Sequence, residues 1–188
     1  MSHLLDDLAF VTRNDPKEML RLTSEFPAQC RRALEIAQAT PLMPLGPVKN
    51  ALLTGLGGSA AGGDFVKALF DDEGSIPFIV NRDYHLPKWV SDESLVYVSS
   101  YSGNTEETIS AYHDAVRVGA RRIVLTSGGK LAELARENGD DLILIPAGQP
   151  PRTALGFMLV PLVVASAKLG LIPAQDFDGV LASLDEAV

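Results

Sequence analysis

Residues 95–108 read Leu95-Val96-Tyr97-Val98-Ser99-Ser100-Tyr101-Ser102-Gly103-Asn104-Thr105-Glu106-Glu107-Thr108, and the stretch changes character at its middle. A continuous apolar run of four gives way to small hydroxyl residues and a glycine, which open into a segment of helical spacing over 105–118. A strand that passes through a short polar turn into a helix is half of a βαβ unit. The pattern recurs on either side. Apolar runs stand at 51–54 and 77–80 upstream and at 122–125 and 142–145 downstream, with amphipathic helical stretches at 60–70 and 131–138. Continuous runs, unlike alternating ones, suit strands buried on both faces. Strand–helix alternation of this kind predicts a doubly wound parallel sheet in a three-layer α/β/α sandwich.

The flanks differ. Residues 1–39 read as helical: Pro27 suits a first turn, and Cys30, Ala33, Leu34 and Ala37 follow at helical spacing. Pro41, Pro44 and Pro47 then make 40–47 an irregular connector. These features divide the chain into a helical segment with its Pro-rich connector (1–48), an α/β domain (49–171) and a tail or start of a linker (172–188), where Asp176, Asp178, Asp185 and Glu186 gather. The helix expected over 153–169 is apolar nearly all round. Such a helix must be covered on every side: a central core helix would satisfy this, but its place after the last strand favours a second subunit or domain on the face that the sheet leaves open.

The 188 residues are 46% hydrophobic and 21% charged, enough for a core and unlike a disordered chain. Sixteen Lys and Arg against 24 Asp and Glu give a formal charge of −8, which offers no electrostatic attraction to nucleic acid or an anionic membrane. A bound anion must be held by local dipoles or one well-placed cation. The single cysteine, Cys30, cannot form an internal disulfide, and Asp6 and Asp7 stand where a leader would carry positive charge. The expectation is a cytoplasmic protein.

In open α/β sheets ligands sit beyond the carboxyl ends of the strands, which brings three loops together. The first, Gly55-Leu56-Gly57-Gly58-Ser59-Ala60, fits a dinucleotide fingerprint with Ala last, and Asp83 stands near the end of the second strand as its possible ribose partner. It fits a tight strand-to-helix turn equally well. The second is the hydroxyl turn. Asn104 with Glu107 matches a capping box, but capping leaves Ser100, Ser102 and Thr105 unexplained. Hydroxyls beside the free N–H groups of a helix N-terminus make a phosphate cradle without a lysine. The third, 146–153, presents Arg152 at the start of the last helix, where the dipole disfavours a cation unless an anion or polyol accompanies it.

These loops, with Thr126-Ser127-Gly128-Gly129-Lys130-Leu131 and Pro151-Arg152 followed by Ala154-Leu155-Gly156, closely resemble the bifunctional phosphoglucose/phosphomannose isomerases of the SIS (sugar isomerase) superfamily. The resemblance runs from about residue 27 to 171. It implies a flavodoxin-like five-stranded parallel sheet and makes a dinucleotide site unlikely to be the purpose of the first loop. It places phosphate contacts on Ser100, Ser102 and Thr105, sugar contacts on Gly57, Gly58 and Ser59, and a catalytic role on Arg152. It implies a hexose 6-phosphate ligand, with glucose 6-phosphate or mannose 6-phosphate exchanging with fructose 6-phosphate, and needs no cofactor. No His, Cys or carboxylate group has metal-ligand spacing, so no metal is expected.

Aldose–ketose exchange needs a base at carbon, a group that shuttles the hydroxyl proton and a cation for the oxyanion. The resemblance assigns the base glutamate, a histidine and a lysine to a second SIS domain, leaving Arg152 as the cation here. Within the chain, Glu106 and Glu107 fit helix capping and the dipole, His113 fits a satisfied structural role, His3 lies at the terminus, and His85 could approach the site. Two readings stand: a half of a phosphosugar isomerase that needs a second domain or subunit, and a phosphosugar-binding sensor or scaffold without turnover.

Overall fold

The structure is a computed structural model that describes residues 6–187. Five parallel strands, β1 (Asn50–Thr54), β2 (Phe78–Asn81), β3 (Ser94–Ser99), β4 (Arg121–Thr126) and β5 (Asp141–Leu144), form one sheet in the order β2-β1-β3-β4-β5. All pairings are parallel, with Leu53 opposite both Val80 and Tyr97. The chain leaves β1 toward one edge and β3 toward the other, so the topological switch falls between β1 and β3. The SIS-like flavodoxin order expected for the chain is present.

Three short-to-medium helices precede the sheet: α1 (Leu8–Asn14), α2 (Met19–Ser24) and α3 (Phe26–Ala39). Then follow α4 (Gly57–Glu73), α5 (Glu106–Arg117), α6 (Gly129–Asn138), α7 (Leu155–Lys168) and α8 (Phe177–Glu186), with a 3-10 turn at Pro151–Thr153 before α7. Alternate strand residues feed two cores. Ala51, Leu53, Leu95, Tyr97, Ile123 and Ile143 pack with α3, α4 and α7. Leu52, Val96, Val98 and Val124 pack with Tyr112 and Ala115 of α5 and Leu131 and Leu134 of α6. These are the three layers.

The apolar helix α7 is the centre of its layer. Ten of its residues are buried, between α3, α4 and the sheet, and Tyr97 of β3 reaches into it with a 2.8 Å hydrogen bond to Ser166. The cover that the sequence reading sought from a partner is thus largely supplied by the chain's own N-terminal helix α3. That correction has a simple cause: α3 is remote in sequence, and periodicity cannot show what packs on what. The segment expected as a solvated tail also contains a helix, α8, which buries Leu181 and ties Asp185 to Arg31 of α3. Among the described residues no helix is long and apolar enough to cross a membrane.

Close helix contact depends on Gly62. A Cβ there would stand 2.3 Å from the carbonyl oxygen of Met158 on α7. Gly62→Ala should therefore lower the chemical denaturation midpoint by the equivalent of about 1–3 kcal/mol, the range for overpacking a tight core.

Candidate functional site

Every loop at the carboxyl edge is fastened to its neighbour. Ser59, the first buried residue of α4, accepts a 3.0 Å bond at Oγ from the Tyr101 N–H and another at its carbonyl from Ser99 Oγ. The glycine loop after β1 is thereby stitched to the hydroxyl turn after β3, across the topological switch. Gly57 is exposed and Gly58 half-buried. A Cβ on Gly58 would stand 2.9 Å from the carbonyl oxygen of Pro151, so the loop that carries Arg152 lies directly over it.

The hydroxyl turn is braced from the other side by the turn after β4. Leu131 N–H donates to the Gly103 carbonyl at 2.9 Å, and both the N–H and the hydroxyl of Ser127 donate to the Tyr101 carbonyl. Gly103 has φ +70°, and a Cβ there would overlap the Gly128 carbonyl oxygen. No side chain fits between the two turns.

Within this frame Ser100 is buried, Thr105 half-buried and Ser102 exposed. Ser100 Oγ and Thr105 Oγ1 lie 2.9 Å apart, and Ser100 Oγ accepts from the Gly103 N–H. Ser102 Oγ accepts from the Asn104 N–H. The expected capping box is absent. Thr105 is the N-cap of α5 and makes no side-chain cap bond. Asn104 caps a different helix: its Oδ1 accepts from Lys130 N–H in the first turn of α6. Sequence spacing identified Asn104 as a capping residue but assigned it to its own helix, because the neighbouring N-terminus is adjacent only in space. The consequence is that the first-turn N–H groups of α5 have no side-chain cap and face the same turn as three hydroxyls. That is an anion-accepting arrangement.

Arg152 is exposed in the 3-10 turn and makes no ion pair or hydrogen bond among the described residues. It lines a cleft of about 250 Å³ with Leu22, Thr23 and Phe26. Glu107 lies beside Tyr84, whose phenol is held above its ordinary pKa chiefly by that charge, then by burial and Glu106. His85 does not reach the site: its Nδ1 is 3.2 Å from Asp114 Oδ2, and Asp114 stands two turns into α5, roughly 12 Å along the helix from its start. His113 is exposed beside Tyr112 and does not fill a core role, and His3 lies outside the described residues. The end of β2 is Asn81, bonded to Thr54 and to the carbonyls of Asp83 and His85, and Asp83 binds the Tyr84 N–H. No acid closes that strand as a ribose partner would. Among the described residues no group of three or more His, Cys, Asp or Glu could hold a metal ion.

Two members of the site escaped sequence reading. Tyr101 is 7% exposed and its hydroxyl bridges the Pro146 carbonyl and the Gln149 N–H, both at 3.0 Å. Gln29 of α3 is equally buried and binds the same loop. A glutamine within the apolar stripe of Cys30, Ala33 and Ala37 was the visible cue.

No protein-family model matches the chain. It is 46% identical over 159 residues to a bifunctional phosphoglucose/phosphomannose isomerase of Caldicellulosiruptor bescii, an alignment covering 84% of this chain and 47% of that protein. It is 35% identical over 141 residues to the enzyme of the same name from Thermoplasma acidophilum, covering 75% and 43%. The chain therefore spans about half the length of these relatives. Its fold matches the C-terminal domain of glucosamine-fructose-6-phosphate aminotransferase from Francisella tularensis with a TM-score of 0.65 at 18% identity, covering 89% of this chain and 53% of that one.

Asp114 supplies a test of the architecture around His85. Burial would raise its pKa, but hydrogen bonds from Leu86 N–H, His85 and Arg117 outweigh it and hold the carboxyl below its ordinary value of 3.8. A depressed carboxyl stabilises the fold above its unfolded pKa and loses that contribution as pH falls through its folded value. Asp114→Asn should cost on the order of 1 kcal/mol at neutral pH and flatten the loss of stability below pH 3.8, measured by thermal melting across pH.

Proposed function

We propose that this chain, which is homologous to the bifunctional phosphoglucose/phosphomannose isomerases, is the sugar-phosphate-binding SIS half of an aldose–ketose isomerase. It takes glucose 6-phosphate, mannose 6-phosphate or fructose 6-phosphate, and a second SIS domain or subunit supplies the catalytic base. The observation that carries this reading is the hydroxyl turn at the β1/β3 switch, joined to an N-terminus of α5 that no side chain caps.

The chemistry follows from who holds which proton. Gly103 N–H already donates to Ser100 Oγ, so the Ser100 and Thr105 hydroxyls can turn their own protons from each other to phosphate oxygens. Ser102 does the same from the exposed side, while the α5 N–H groups contribute fixed partial positive charge. With the phosphate anchored, the sugar extends over Gly57 and Gly58 toward Arg152. Removal of a proton beside the carbonyl leaves an enediolate, whose oxyanion a guanidinium stabilises without giving up a proton. Ser59 acts from beneath: its hydroxyl is committed to Tyr101 N–H and sets the spacing between sugar loop and phosphate turn.

The partner has a candidate place. Phe65, Leu155, Leu159 and Val180 line an open apolar groove of about 580 Å³ between α4, α7 and α8. A second SIS domain or a second copy covering it agrees with relatives of about twice this length. Sedimentation at micromolar concentration tests the second copy: self-association that Leu159→Glu abolishes supports it, and a clean monomer removes it.

Ser102→Ala and Thr105→Ala should each weaken fructose 6-phosphate binding by about 1.5–3 kcal/mol, the worth of a charge-assisted hydrogen bond. Calorimetry that finds both variants unchanged removes the phosphate assignment. With the chain alone in heavy water, fructose 6-phosphate should raise the melting temperature yet show no proton exchange beside its carbonyl by NMR. Exchange would place the base within these residues.

A further inference from the structure

We propose that Gln29, on the N-terminal helix α3, is a positioning residue for Arg152, so that the N-terminal segment is a working part of the sugar site. The inference rests on the reading of Arg152 as a sugar contact. Gln29 is 6% exposed and lies among apolar residues, where a carboxamide is costly unless every polar position is bonded. All four positions are used. Oε1 accepts from Gly156 N–H at 2.7 Å and Phe157 N–H at 3.3 Å, and Nε2 donates to Gln149 Oε1 at 2.8 Å and to the Thr153 carbonyl at 2.7 Å.

The two halves of the group do different work. The oxygen caps the first turn of α7, whose own N-cap, Ala154, has no side chain able to do so. The nitrogen performs no capping. It grips one residue on each side of Arg152, and through Gln149 it joins a chain of bonds that continues to Tyr101 and Ser59. Arg152 has no hydrogen bond or ion pair of its own among the described residues, so its position is set by what holds its flanks. Besides the turn's own bonds, from the Thr153 N–H and hydroxyl to the Pro150 carbonyl and from the Ala154 N–H to the Pro151 carbonyl, those holds are the Nε2 of Gln29, the Tyr101 hydroxyl and the seat of Pro151 on Gly58. Gly156 lets Gln29 approach: a Cβ there would stand 2.8 Å from Oε1.

Capping and clamping can be separated chemically. Gln29→Glu keeps an acceptor for Gly156 and Phe157, favoured by the helix dipole, but sets an oxygen against Gln149 Oε1 and the Thr153 carbonyl. Gln29→Met removes both functions at similar volume. Affinities for fructose 6-phosphate and for inorganic phosphate would be measured by calorimetry in both variants, in Arg152→Ala and in Gln29→Glu/Arg152→Ala, with hydrogen exchange of 147–153 followed in the free chain. For Gln29→Glu we expect faster exchange at 147–153 with α7 still protected. We also expect about tenfold weaker fructose 6-phosphate binding, the equivalent of one lost hydrogen bond, unchanged inorganic phosphate binding and little further loss in the Arg152→Ala background. Equal losses for both ligands, additive losses with Arg152→Ala, or wild-type exchange at 147–153 would overturn the proposal. Gln29→Met should reproduce the selective loss and also raise exchange in the first turn of α7, and wild-type exchange there would overturn the capping half. If the unmutated chain binds no fructose 6-phosphate, the sugar-phosphate reading falls by itself, and the exchange at 147–153 still decides whether Gln29 holds the loop.

Discussion

The approach of Gly103 to the Gly128 carbonyl is the contact on which the carboxyl edge depends. It brings the turn after β3 against the turn after β4 more closely than any side chain allows. That closeness lets the Gly103 carbonyl accept from Leu131 N–H and lets Asn104 reach across to cap α6. With Asn104 engaged there, α5 begins without a side-chain cap. An unsatisfied helix start is usually a defect in a fold. Here it is adjacent to the Ser100 and Thr105 hydroxyls, which hold each other, so the missing cap and the proposed phosphate surface share one origin.

Much of the architecture was legible because it follows from short-range pattern. Continuous apolar runs at 95–98 and 122–125 announced buried parallel strands, and the structure extends each by only a residue or so at its ends. The hydroxyl turn was legible for the same reason: its residues are contiguous, and the switch between β1 and β3 puts them beside the glycine loop. What failed were inferences about partners in space. Asn104 and Glu107 had the spacing of a capping box, yet a cap is satisfied by whichever orphan N–H is nearest. His85 stands four residues past a strand end, yet Asp114 draws it down the flank of α5. The apolar circumference of α7 implied cover on every side; α3 and α4 supply most of what was expected from a partner, and Leu155 and Leu159 are left half-buried at an open groove.

The opposite edge of the sheet shows what polar clusters do when they serve only the fold. Arg122 is largely buried, pairs with Asp140 at 2.6 Å, and lies over the Tyr112 ring, while Tyr112 itself donates to Asp140. Arg121 closes on Asp141. Each charge there has an internal partner, which is the condition for burying it. Arg152, by contrast, is exposed with none among the described residues. Arg13 and Arg136 are likewise without a side-chain partner among the described residues, so pairing identifies the arginines that serve the fold, and sequence alone does not report pairing.

Helices α3 and α7 are fastened at both ends. Gln29 closes the start of α7, and the ammonium of Lys168, at the end of α7, donates to the carbonyls of Ala37, Gln38 and Thr40 at the end of α3. The two helices therefore run side by side in the same direction, with their like-signed ends together; α3 caps the start of α7, and α7 supplies the cation at the end of α3. On the ribosome this has a cost in time. Helix α3 emerges early, while its partner lies more than a hundred residues later, a wait of roughly 6–25 s at ordinary elongation rates. During that interval the Cys30–Ala33–Ala37 stripe has nothing to pack on. The helix layer closes only once residues 155–168 have been made, so a ribosomal pause or chaperone contact before residue 155 would act on a stage in which α3 is still uncovered.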